Sequence, residues 1–156
     1  MTGGEVVRFN LEPSDWHGYS FELLGCQKLQ DGLFRISACP FFVVGMSKGD
    51  IIECSLEQGQ AVFKRLVRKS GNSTFRFIFR RIRDEGTDLR KDELFQLLSA
   101  LRPIAEISDD FRETFILYSV STSPNNVREV YNQLVKFTDW DVIDYEEADF
   151  GGEAID

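Results

Sequence analysis

The chain is poor in the residues on which most catalytic and metal chemistry is built. Its 156 residues include one histidine and three cysteines. His17 lies in an Asp-Trp-His-Gly loop with no cysteine near it in sequence. Zinc needs three or four convergent ligands, so a lone histidine is a poor start for a metal site. Cys26, Cys39 and Cys54 are odd in number and widely spaced, and no Cys-x-x-Cys occurs. That supports neither a zinc knuckle nor a dithiol redox pair, and points to reduced, buried thiols in a cytosolic protein. There is no Gly-x-Gly-x-x-Gly and no phosphate-cradling Gly-Lys-Ser/Thr loop. Long apolar runs are missing too. The most apolar one, Ala38–Met46, contains Pro40 and is far too short to span a bilayer. The start of the chain lacks a basic segment followed by an apolar run, so the expected location is cytoplasmic, without a membrane partner.

Adjacent carboxylates such as Asp109/Asp110 and Glu146/Glu147 would point to opposite faces of a strand. A general acid–base pair must converge on one substrate, so these do not suggest one. The sequence therefore predicts no catalytic residues, no cofactor and no metal, and a protein that is not an enzyme.

What the chain does have is a segregated charge pattern. The net charge is −8, yet residues 1–136 hold 18 basic and 18 acidic groups. After Lys136 come eight acids and no base: Asp139, Asp141, Asp144, Glu146, Glu147, Asp149, Glu153 and Asp156. Conversely, no acid falls between Glu57 and Asp84, a span carrying Lys64, Arg65, Arg68, Lys69, Arg76, Arg80, Arg81 and Arg83. Fourteen phenylalanines, each able to bury on the order of 150–250 Å², are expected to fill the core.

Period-two alternation predicts a strand over Glu5–Leu11. Tyr19–Gln30 and Gly32–Cys39 flank an Asp31-Gly32 hairpin signal. Pro40–Met46, Ile51–Leu56 and Ala61–Lys69 follow at regular spacing, separated by glycine-bearing turns. Four or five such strands suggest an antiparallel meander or a small, partly open barrel.

Beyond a break at Ser70–Ser73, Thr74–Ile82 alternates Phe75, Phe77 and Phe79 against Arg76, Ile78 and Arg80. A helix is expected over Leu89–Leu101, capped by Thr87 or Asp88, with Leu94, Leu97, Leu98 and Leu101 along one face. Ala105–Ser108 reads as a short strand, Asp109–Glu113 as a polar turn and Thr114–Thr122 as a strand. Ser123-Pro124 signals a second helix with Val127, Val130, Tyr131, Leu134 and Val135 buried, and Trp140–Glu146 a last strand.

The fold class is thus α+β: an N-terminal β meander or partial barrel (residues 1–70), a ferredoxin-like βαββαβ unit (71–150) and a flexible tail (151–156). In that topology the acidic last strand lies against the basic first one, where opposite charges contribute roughly 0.2–1 kcal/mol per pair.

Four segments carry a resemblance. Gly32-Leu33-Phe34-Arg35-Ile36 precedes Pro40-Phe41-Phe42-Val43-Val44-Gly45-Met46-Ser47-Lys48-Gly49-Asp50-Ile51-Ile52. Phe63 then leads to Ser70-Gly71-Asn72-Ser73-Thr74-Phe75-Arg76, and Tyr145-Glu146-Glu147-Ala148 stands near the end. Together they resemble the bacterial family known as domain of unknown function 4265, over roughly residues 5–149. The resemblance implies the architecture and a bacterial cytosolic source; it implies no activity and transfers no site residue.

Two functional expectations follow. The first is a non-catalytic binding protein, a bacterial immunity protein that neutralises a basic, nuclease-type toxin. Its acidic strand would mimic phosphate, with Asp139, Trp140, Asp141, Asp144, Tyr145, Glu146, Glu147 and Asp149 as the partner-binding residues. The alternative is a nucleic-acid or nucleotide-anion binding module on the basic strand 64–83, using Lys69, Ser70, Ser73, Arg76 and Arg80. Against nucleic acid stand the overall negative charge and the alternation that puts phenylalanines and arginines on opposite faces.

Overall fold

Residues whose alternate side chains are apolar build the first sheet. The computed structural model describes residues 4–14, 18–84 and 87–149. In β1 (Gly4–Asn10) Val7 and Phe9 point inward while Val6 and Asn10 stay exposed. β2 (Phe21–Gln30), β3 (Leu33–Ile36), β4 (Ile51–Glu57) and β5 (Gln60–Arg68) each run antiparallel to the preceding strand. Gln30 pairs with Leu33 around Asp31-Gly32, and Gly32 has φ 81, the left-handed backbone that favours glycine at a hairpin tip. The meander is not partly open, as its sequence suggested. β5 pairs in parallel with β1, Val7 against Ala61 and Arg8 against Val62, and closes a five-stranded barrel. Register shifts between β4 and β5 bend these strands, which favours closure. Val7, Phe9, Leu24, Cys26, Phe34, Ile36 and Ile52 fill the interior.

The second half runs β6 (Ser73–Arg80), β7 (Arg83–Asp84), β8 (Thr87–Asp88), α1 (Lys91–Leu101), β9 (Glu106–Phe111), β10 (Phe115–Thr122), α2 (Val127–Asp139) and β11 (Asp144–Asp149). Four strands form one antiparallel sheet in the order β11-β6-β10-β9, and β7 pairs only with β8. Phe75, Phe77 and Phe79 on β6 meet Tyr118 and Val120 on β10, the leucines of α1, and Val130, Leu134 and Phe137 of α2. Each fully buried phenylalanine side chain contributes roughly 1.5–3 kcal/mol. Among the described residues no helix is long and apolar enough to cross a membrane.

Several local expectations are corrected. α1 begins at Lys91 with Arg90 as its N-cap and no side-chain cap; Thr87 and Asp88 belong to β8, and Asp88 accepts from Arg81 Nε at 3.2 Å. α2 begins at Val127 with Asn126 as its N-cap, so Pro124 occupies a turn before the helix. Asp109 and Asp110 are strand residues of β9, because that strand continues to Phe111 against Ile116. The last strand starts at Asp144, because Val142 and Ile143 are drawn into the core from the preceding turn.

Pro40–Met46 forms no strand. The N–H groups of Phe41, Phe42 and Val43 all donate to the Glu22 carboxylate, at 2.8–3.0 Å, rather than to a neighbouring strand. The segment is laid across the face of the sheet that the helices leave open. Arg76 Nη1 donates to the Phe41 carbonyl at 2.6 Å and Ser119 Oγ to the Pro40 carbonyl. With both faces covered, β6 is buried almost throughout. His17 and the tail from 150 onward lie outside the described residues.

Candidate functional site

Two polar constellations stand out. The first joins the barrel to the sheet. Asp50, fully buried, accepts from Ser70 N–H at 2.8 Å, Ser47 N–H at 2.9 Å and Lys69 Nζ at 2.7 Å. Lys69 also donates to the Asp149 carboxylate and to the Gly45 carbonyl. Ser47 Oγ is 2.6 Å from Asp149 Oδ2 and 2.7 Å from Thr74 Oγ1. Burial works against the Lys69 charge, but its hydrogen bonds to Asp149 and Asp50 outweigh that and hold its pKa above the ordinary lysine value.

The backbone fits this network closely. Gly49 has φ +92, and a Cβ there would lie 2.9 Å from Ser70 Cβ. Every donor and acceptor named here is occupied within the chain, so the constellation fastens the two sheets together. Sequence reasoning assigned no role to Asp50, Ser47 or Glu22. The polar positions of the Gly-x-Ser-x-Gly-Asp and Ser-Gly-x-Ser-Thr segments were the available signal, since they exceed what two turns require.

The second constellation is the acidic end. β11 lies on the sheet edge against β6, with Glu146 opposite Arg76 and Asp144 opposite Ile78. Three of the six carboxylates expected to bind a partner are engaged by the chain's own cations. Glu146 Oε1 is 2.5 Å from the buried Arg76 Nη2, Asp144 Oδ2 is 3.4 Å from Arg80, and Asp149 holds Lys69. Asp139, Asp141 and Glu147 are exposed and make no ion pair with another described residue. Trp140 is 47% exposed, stacked edge-on against Phe137 and capped by Lys136. Tyr145 is half-buried against Tyr131, and burial raises its pKa, with help from its hydrogen bond to Tyr131.

Asp141 (φ 61) and Asp144 border a groove of about 390 Å³ whose apolar wall includes Ile78, Ile82 and Leu89. Arg80 and Arg90 also line it.

The other predicted set does not form one site. Lys69 and the Ser70 N–H bind Asp50, while Ser73 is buried. Arg76 is buried beneath the loop, and Arg80 is exposed at the far end of β6. Among the described residues no three His, Cys, Asp or Glu side chains gather as metal ligands would.

Residues 22–140 match the family described as domain of unknown function (DUF4265), and the chain belongs to that family. No curated protein matches it. A crystal structure of a hypothetical protein from Neisseria gonorrhoeae has the same fold, with TM-score 0.71 and 21% identity over 98% of each chain.

Proposed function

We propose that this DUF4265 protein is a non-catalytic binding module whose acidic carboxyl-terminal end engages a basic protein, and that it acts as a bacterial cytoplasmic immunity protein against a nuclease-type toxin. The observation that carries the reading is the set of carboxylates left over after internal pairing. Asp139 and Asp141 flank the exposed Trp140 in the chain, and Glu147 faces solvent on β11. Unpaired acids of one sign steer a cationic partner, and an exposed aromatic supplies the anchor that charges alone do not. The neighbouring groove has an apolar wall beside Asp141 that can receive the aliphatic stem of a partner side chain.

We also read the second half as a ferredoxin-like unit. The element order and the strand order β11-β6-β10-β9 support that reading.

The test is inhibition. A basic nuclease that co-purifies with the tagged chain from its native host should lose DNA cleavage in an equimolar complex. Charge reversal of Asp139, Asp141 and Glu147 together should restore cleavage and weaken binding about a hundredfold or more. Partners without nuclease activity, or binding indifferent to the reversal, would overturn the proposal. The alternative, anion binding on the basic strand, has less support because Lys69 and Arg76 are engaged by Asp50, Asp149 and Glu146.

A further inference from the structure

The geometry points to a second site at the other end of β6 and α1: a cleft between barrel and sheet that binds a small phosphate-bearing anion. The cleft has a volume of about 540 Å³, within the range of small-ligand sites, which often form where two structural units meet. Three cations line it, Arg35 from β3, Lys48 from the loop before β4 and Arg102 from the C-cap of α1, against one acid, Glu106. That leaves roughly two positive charges facing one concavity, in a chain whose net charge is −8.

Glu106 is paired with Lys48. Among the described residues neither arginine has a carboxylate partner, and Arg35 reaches only the Gln27 amide oxygen at 3.5 Å. Like charges around a concavity repel one another unless an anion enters, and two arginine forks are suited to binding a phosphate in bidentate fashion.

The site is also built on fixed backbone. Ser70 Oγ and Asn72 Nδ2 both donate to the Lys48 carbonyl, at 2.9 and 2.8 Å. Gly49 N–H donates to the Ile36 carbonyl at 2.7 Å. Thr122 Oγ1 holds the Ile104 carbonyl at 2.9 Å on the opposite wall. The Asp50 network therefore positions the segment that presents Lys48. Hydroxyls of Ser37 and Ser123 add further donors, and Ile36 and Ile104 supply an apolar surface. A phosphomonoester carries about −1.5 to −2 charge and three acceptor oxygens, which matches both the charge and the donor supply. Free phosphate shares that chemistry.

Calorimetric titration of the full chain with ribose 5-phosphate, inorganic phosphate and ribose separates the sources. Saturable binding of either phosphate species, with none of ribose, is expected. Tighter binding of the ester assigns an organic ligand, and equal binding assigns the free ion. Arg102→Ala and Arg35→Ala should each weaken binding about tenfold or more. Glu106→Gln should tighten it about threefold, because it removes the carboxylate that competes for Lys48. A purely structural role for these residues would not produce that gain. No saturation by about 10 mM of either phosphate species, or affinities unmoved by Arg35, Arg102 and Glu106 substitutions in variants that keep the wild-type melting temperature, would overturn the inference.

Discussion

Lys69 Nζ lies 2.7 Å from Asp50 Oδ2 and donates at the same time to the Asp149 carboxylate, so one ammonium links the barrel to the edge strand of the sheet. Asp50 is wholly buried whereas Lys69 is about one-third exposed. The two partners are therefore expected to respond differently to removal.

Asp50→Ala strands the N–H groups of Ser47 and Ser70 and takes one anion from Lys69. We expect a loss of about 3 kcal/mol in urea unfolding, within the range for breaking a buried charged network. Lys69→Met should cost less, since its exposed portion is already solvated and screened. A double-mutant cycle should return a coupling of about 1 kcal/mol or more. Additive losses would show that the pair does not act as a unit.

Glu22→Ala removes the acceptor of three consecutive backbone N–H groups. Stability should fall by about 2 kcal/mol. Amide hydrogen exchange at Phe41, Phe42 and Val43 should accelerate more than in the barrel strands. Unchanged protection at those amides would mean that Arg76 and Ser119 hold the segment unaided.

Carboxylates near the end of the chain should separate into two classes. Glu146→Ala deprives the buried Arg76 of its anion, and we expect a loss of about 1–3 kcal/mol. Neutralising Asp139, Asp141 or Glu147 should change stability by no more than about 0.5 kcal/mol, as for surface positions without partners. Thermal melts distinguish the classes, and equal losses in all four variants would contradict the assignment of free and paired acids.

The barrel thiols set a pH dependence. Burial, reinforced by the nearby Cys54, pushes Cys26 up to about 12 from 9.0. Burial, then the Glu53 charge, pushes Cys54 up to about 11. The folded state keeps these protons longer than the unfolded chain. Stability should therefore be intact below pH 9 and decline as pH rises toward 12. The raised Lys69 adds a decline of the same sign above the ordinary lysine value of 10.5. Replacing Cys26 and Cys54 by alanine should flatten the slope above pH 9. At pH 8 a thiol reagent should label native Cys26 far more slowly than the unfolded chain, because the thiol is buried and held in its protonated form.

Much of the fold can be read along the chain because it repeats locally. Phe75, Phe77 and Phe79 recur every second residue, Leu94, Leu97, Leu98 and Leu101 recur at helical spacing, and Asp31-Gly32 marks its own turn. Signals that depend on one residue's local preference were less secure. Pro124 suits the first turn of a helix but equally suits the turn before one, and α2 starts three residues later.

Tertiary structure alone decided which polar groups meet. Asp50 and Lys69 are 19 residues apart, Lys69 and Asp149 are 80 apart, and the parallel β1–β5 contact that closes the barrel joins the ends of its meander. No sequence period encodes such distances, because partners this remote are chosen by how the faces pack and by the requirement that buried charges be paired. The acidic run illustrates the division. Composition placed the carboxylates at the carboxyl end, and strand register determined that Glu146 faces a buried arginine while Glu147 faces water.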